Sequence, residues 1–225
     1  MRPRFGYGMV LFLIVSTYVL AILAERRWAV TVLLTVQTVT VWQSLRVAHA
    51  RPGLRLAGGI VFVLALTAAV VTAVADTRVL TAAAFCAAAA LYLLAPMAIV
   101  RDLSRRNRVD AQAMLGALAA YLLIGMAFGF AYECVAQLQP GPLFGDRGDP
   151  LLAEALFFSF VTVTTTGYGD LVPAGNPAQT IAVVEALTGQ LFLVTAVAKV
   201  VENWRPRNWN RGSSIEDDAS PREVR

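Results

Sequence analysis

The residues with the most chemical meaning form one short run: Thr164, Thr165, Thr166, Gly167, Tyr168, Gly169 and Asp170, then Leu171, Val172 and Pro173. Nothing in it is arranged for making or breaking bonds. The threonines have no evident base to activate them. The sequence shows no Ser-His-Asp or paired-carboxylate pattern, and no His/Cys cluster that suggests a structural metal. What the run offers is backbone. Glycine at 167 and 169 opens backbone angles closed to other residues, so successive carbonyls are able to point one way. Carbonyls stripped of protein partners replace the water around a bare cation. The hydroxyl of Thr165 adds an oxygen at the inner end.

Such a loop has to be held in place. The apolar segment before it, 151–163, is too short to cross hydrocarbon, which takes about 20 residues, and reads as a re-entrant helix. Asp149 and Pro150 suit its N-cap and first helical position. Its C-terminus, the negative end of the helix dipole, then points toward the membrane centre and favours a cation there. Irregular backbone at that depth is tolerated only where protein buries it or where it lines a polar path.

Composition places the chain in a membrane. It is 57% hydrophobic and only 15% charged, with a mean hydropathy of +0.61, where a soluble domain is about half apolar and a quarter charged. Long apolar runs cover 6–24, 28–45, 56–75, 79–100, 111–132 and 178–201, each near the length of a spanning helix. The expected fold is all-α: six transmembrane helices plus the re-entrant helix and its loop. Arg2, Arg4, Arg46, Arg51, Arg55, Arg101, Arg105, Arg106, Arg108, Lys199, Arg205, Arg207 and Arg211 fall on one side, against Arg26, Arg27, Arg78 and Arg147 on the other. That bias puts both termini in the cytoplasm of a multi-pass protein of the cell membrane. A signal peptide cut after Ala21 or Ala24 is the rival for the first run.

The net charge of +4 and pI near 9.4 come from basic residues in short gaps between apolar runs, not from a basic face, which argues against nucleic acid. Cys86 and Cys134 read as unpaired thiols in apolar runs, and His49 as a solvated loop residue. The chain divides into 1–110, a four-helix region of uncertain role; 111–203, which carries the loop; and 204–225, a mostly disordered tail in which Trp204 and Trp209 are either interfacial anchors or ordinary tail residues.

The pattern Thr165-x-Gly167-Tyr168-Gly169-Asp170, after a short apolar helix and before a final apolar helix, resembles the selectivity filter of potassium channels. The resemblance spans 111–201. It implies that the carbonyls of Thr165, Thr166, Gly167 and Tyr168, with the Thr165 hydroxyl, coordinate potassium. Gly169 then shapes the outer mouth and Asp170 sits just outside. It also implies an outer helix (111–132), a pore helix and an inner helix (178–201) lining a cavity. Since such a pore uses four loops around one axis, the expected assembly is a homotetramer, with potassium as permeant ion, no cofactor and no organic substrate. Two positions depart from the family. Thr166 stands where Val or Ile is usual, and its side chain is expected to face the pore helix. Phe157 and Phe158 stand where many members carry tryptophan, and phenylalanine donates no hydrogen bond to Tyr168 or Asp170.

The run Glu185-Ala186-Leu187-Thr188-Gly189-Gln190-Leu191 resembles inner helices of prokaryotic potassium channels, which makes Glu185 and Gly189 the gating candidates. Gly189 is either a hinge or a point of close helix packing. Glu185 is either a buried polar contact behind the filter or a cavity-facing charge. The run 79–100 contains no arginine, and a voltage sensor needs charges inside the field, so weak or no voltage dependence is expected. Arg101, Arg105 and Arg108 either follow the positive-inside bias alone or meet anionic lipid headgroups from an interfacial helix. A less selective cation channel and a non-conducting membrane sensor or regulatory subunit are the alternatives; an enzyme is not expected.

Overall fold

A computed structural model describes residues 6–23, 78–104 and 111–203, with the single positions Thr40, Gly59 and Val63. The expected spans 28–45 and 56–75, the residues Arg105 and Arg108 and the tail 204–225 lie outside the described residues, or nearly so. The described part is helical and has no strand: α1 (Gly6–Leu23), α2 (Arg78–Ser104), α3 (Ala111–Leu138), a short 3-10 turn (Gly145–Arg147), α4 (Leu152–Val163) and α5 (Ala178–Asn203). Three helices among them are long and apolar enough to cross a membrane: Arg78–Leu103, Ala111–Leu138 and Ala178–Lys199.

The helix α3 is the hub, packing against α1, α2, α4 and α5. Its glycines explain how closely. A Cβ at Gly129 would fall 2.6 Å from Leu156 Cδ2, and one at Gly125 would fall 2.8 Å from the Phe160 ring, so these two positions let α4 lie directly on α3. Between apolar helices, small residues at the crossing are what permit such approach. On its other side α3 meets α2, where Ala88, Ala89, Ala95 and Ala98 supply the small surfaces and Leu91, Tyr92 and Ile99 fill the gaps. Tyr7, Val10 and Ile14 of α1 complete this core, which reaches Leu156 of α4. The Tyr7 hydroxyl donates to Asp102 Oδ2 at 2.9 Å, and the same ring sits beside Gly116. The start of α1, the end of α2 and the start of α3 therefore converge at one end.

The helix α2 runs past the expected boundary at 100 and carries Arg101 in its last turn, so Arg101 belongs to the helix rather than to a separate segment. Apart from Arg78 at its first position, no arginine precedes Arg101 in it. The helix α3 likewise continues beyond 132 to Leu138.

Candidate functional site

The site is built on α4. Its start differs from the expectation. Asp149 does not cap the helix; its Oδ1 accepts the Leu143 N–H at 2.9 Å and closes the preceding loop. The N-cap is Leu151, two residues later, and its N–H is satisfied by Glu154 Oε2 at 2.9 Å, one half of a capping box. The sequence pair Asp-Pro was the stronger local signal, but the loop claimed the carboxylate first.

The C-terminus of α4 carries the run singled out above. A helix leaves its last four carbonyls without intrahelical partners, and here each is met. The Thr164 N–H and hydroxyl bind the Phe160 carbonyl, at 3.1 and 2.6 Å. The Thr165 N–H binds that of Thr162 and the Thr166 N–H that of Val161, both at 2.9 Å. The Tyr121 hydroxyl of α3 reaches across to the Val163 carbonyl at 2.9 Å. The loop thus spends its N–H groups on α4. Among the described residues, no hydrogen bond ends on the carbonyls of Thr165, Thr166, Gly167 or Tyr168.

Backbone angles then alternate in hand. Thr165, Gly167 and Gly169 have φ of 57°, 58° and 83°, while Thr166 and Tyr168 between them are not positive. Reversing hand at every residue turns successive carbonyls to a common side, the arrangement a row of cation ligands requires. Glycine adopts the left-handed region freely; a β-branched threonine there costs about 1–2 kcal/mol. That Thr165 holds such an angle shows how firmly the hydrogen bonds on either side of it define the turn. The glycines made this legible at 167 and 169; nothing in the sequence marked Thr165.

Residues 164–170 are exposed in the single chain. The Tyr168 ring leans on Phe157, parallel to within 1° at a centroid distance of 6.2 Å. Phe158 turns the other way and packs edge-on against Tyr132 and Phe144, at 4.8 and 5.2 Å. The Thr166 hydroxyl lies 2.9 Å from that of Thr164. Thr164 spends its one proton on Phe160, so the Thr166 hydroxyl donates to Thr164, on the side of α4. Asp170 is exposed, at the start of the loop that returns to Leu143 through the Ala174 N–H, at 2.9 Å.

The two candidates on α5 lie against α4. Glu185 is fully buried, where Tyr132 donates to its Oε2 at 2.6 Å and Ser159 Oγ meets its Oε1. Ser159 Oγ also lies 2.5 Å from the Gly125 carbonyl of α3. Gly189 is buried where α5 crosses the end of α4; a Cβ there would collide with the Val163 carbonyl and lie 2.7 Å from its Cγ2. Tyr121, Tyr132 and Ser159 were not singled out in the sequence. A hydroxyl in an apolar run is the one signal that marks them, and it does not say what the hydroxyl reaches. Tyr121→Phe keeps the ring stacked on Phe192 but orphans a buried carbonyl. We expect it to cost about 1–3 kcal/mol per chain, measured as a lower unfolding midpoint in lipid nanodiscs.

A short helix ending in a loop of unclaimed carbonyls, wedged between two membrane-length helices, defines the class: a helical membrane protein. Comparison with known proteins points to ion channels. Residues 117–204 match the family model described as "Ion channel". Inward rectifier potassium channel Kirbac3.1 of Paramagnetospirillum magnetotacticum is 35% identical over 80 residues, which is 36% of this chain and 25% of that one. Two pore potassium channel b of Oryza sativa subsp. japonica is 37% identical over 86 residues, 38% of this chain and 22% of that one. Two-pore potassium channel 4 of Arabidopsis thaliana is 38% identical over 82 residues, 36% of this chain and 28% of that one. Over this segment the chain is similar to potassium channels, and the family model it matches is one of ion channels. The aligned part spans about a quarter of the length of these relatives. No solved structure matches the chain significantly.

Proposed function

We propose that this chain is one subunit of a homotetrameric channel that conducts potassium passively and selectively across the cell membrane, through a filter made of Thr165, Thr166, Gly167, Tyr168 and Gly169. The observation that carries this is the alternating hand of those residues combined with N–H groups turned back onto α4, which leaves carbonyls of one loop per chain free for ions. Four such loops around an axis are what a closed ring of ligands requires. Support for assembly comes from α5, which exposes Val183, Val184, Leu187, Leu191, Val194 and Val197 along a helix that the described residues barely cover. Further copies of the chain, and the cavity, account for that surface. Asp170 stands at the outer mouth, Glu185 and Gly189 are the gating candidates, and both termini are cytoplasmic. Arg101, in the last turn of α2, is available to anionic headgroups.

Gating by voltage is not part of the proposal. Between Arg78 and Arg101 the helix α2 carries no basic residue, so it has no charge to move through the field.

The test is potassium flux into liposomes holding the purified chain, compared with sodium and with barium present. Potassium flux that barium blocks and sodium does not replace is expected. Equal sodium and potassium flux would favour a less selective cation channel, and no flux from an assembled tetramer would favour a non-conducting regulatory subunit. Thr166→Val separates the first of these alternatives from the main reading. Since the Thr166 hydroxyl bonds to Thr164 and not toward the ion path, removing it is expected to leave the potassium-to-sodium ratio unchanged and to cost about 1 kcal/mol of stability. A sharp gain in selectivity would mean that Thr166 loosens the filter.

A further inference from the structure

The side chains around Glu185 do not hold enough protons if its carboxyl is ionised. Ser159 Oγ contacts two oxygens, the Gly125 carbonyl at 2.5 Å and Glu185 Oε1. Tyr132 Oη contacts Glu185 Oε2 at 2.6 Å. These are three oxygen-to-oxygen contacts at hydrogen-bond distance. A carbonyl and an ionised carboxylate bring no proton, and each hydroxyl brings one, so three contacts would share two protons. One Ser159 contact would then press two bare acceptors together in a buried site, where each lacks water to relieve it.

A third proton completes the set, and the one group able to carry it is the Glu185 carboxyl. We infer that Glu185 is a neutral acid, and that Tyr132, Glu185, Ser159 and the Gly125 carbonyl form a single directed chain of hydrogen bonds that positions α4 between α3 and α5. Tyr132 donates to Oε2; the proton on Oε1 is donated to Ser159 Oγ; Ser159 donates to the Gly125 carbonyl. Each of the three side chains donates once, and the Gly125 carbonyl accepts the last bond. The surroundings agree. From α3 the phenols of Tyr121 and Tyr132 face Glu185, and from α4 the Ser159 hydroxyl does. Among the described residues, no basic side chain forms an ion pair with it; Lys199 of α5 stands fourteen positions, about 21 Å, further along the helix. A buried carboxylate without a cation is strongly disfavoured against the neutral form.

The neutral chain makes Glu185 a positioning residue for α4, and so for the loop at its end. It deepens the channel reading, on which only the consequence for conduction rests. Glutamine has the same outline, with an oxygen to accept from Tyr132 and an N–H to donate to Ser159, so Glu185→Gln reproduces the neutral acid without its proton. Glu185→Met keeps the volume and deletes both bonds.

The experiment compares infrared spectra and thermal unfolding of the full-length protein in lipid nanodiscs at neutral pH. Wild type minus Glu185→Gln is expected to show the carbonyl stretch of a protonated carboxylic acid, and Glu185→Gln is expected to unfold near the wild-type temperature. Glu185→Met and Ser159→Ala are expected to unfold well below it. A difference spectrum showing an ionised carboxylate in place of the acid band overturns the inference, and so does a Glu185→Gln protein no more stable than Glu185→Met. Neither readout needs ion flux, so failure here leaves the channel reading standing, and absence of flux in liposomes leaves this inference standing.

Discussion

Gly167→Ala is expected to abolish potassium flux in the liposome assay while leaving the chain able to fold. The residue holds φ of 58°, in the left-handed region. A Cβ there meets nothing within 4 Å in its own chain, so the penalty within a chain is conformational and not a clash. It amounts to about 1–2 kcal/mol. In a tetramer every copy carries it in the same ring, for a total of about 4–8 kcal/mol. The inexpensive escape is to reverse the hand at 167, which turns a carbonyl away from the shared side and breaks the row of ligands. Thr165 tolerates the same region because the Thr165 and Thr166 N–H groups are both tied to α4. Gly167 has only a 3.4 Å contact from its N–H to the Val161 carbonyl to hold it. Wild-type flux from Gly167→Ala would refute the filter assignment for this residue.

Gly189→Ala is expected to lower the unfolding temperature of the assembly and reduce flux together. A Cβ at 189 meets the Val163 carbonyl and Cγ2, closer than real atoms approach. The obstacle is the last residue of α4, whose carbonyl is already held by Tyr121. Either α5 backs away from α4 or the end of α4 lets go of Tyr121. Overpacking of this kind costs about 1–3 kcal/mol per chain. The hinge reading of Gly189 makes a different forecast: alanine stiffens the helix, changes the open probability of single channels and leaves the unfolding temperature alone. Measuring both quantities on one sample decides between them, and an unchanged midpoint sinks the close-packing account.

Much of the site could be read from residue order because its chemistry is local. The glycines at 167 and 169, the apolar stretch too short to span, and the long apolar runs on either side are all contiguous features. Each constrains the backbone by itself. The absence of arginine between 79 and 100 is equally plain in the sequence. Boundaries were less accessible. Asp149-Pro150 has the form of a helix start, yet Asp149 bonds to Leu143 and the helix begins after Leu151. A loop that folds back competes for the same carboxylate, and order along the chain does not rank the two partners.

The sequence by itself determined the long apolar helices, the short apolar helix between two of them and the glycine-bearing loop at its end, because hydrophobic length and glycine placement act over a few neighbouring residues. Only the tertiary structure decided what stands behind the loop. Tyr121 meets Val163 across 42 positions and Tyr132 meets Glu185 across 53, and Thr165 takes a left-handed angle that its residue type disfavours. Glu185 had two readings in sequence terms, a buried contact, which was favoured, or a charge in the cavity. Its burial against Ser159 and Tyr132 is a property of three helices brought together. A polar side chain in an apolar run must find partners or water, but which it finds is settled by packing alone.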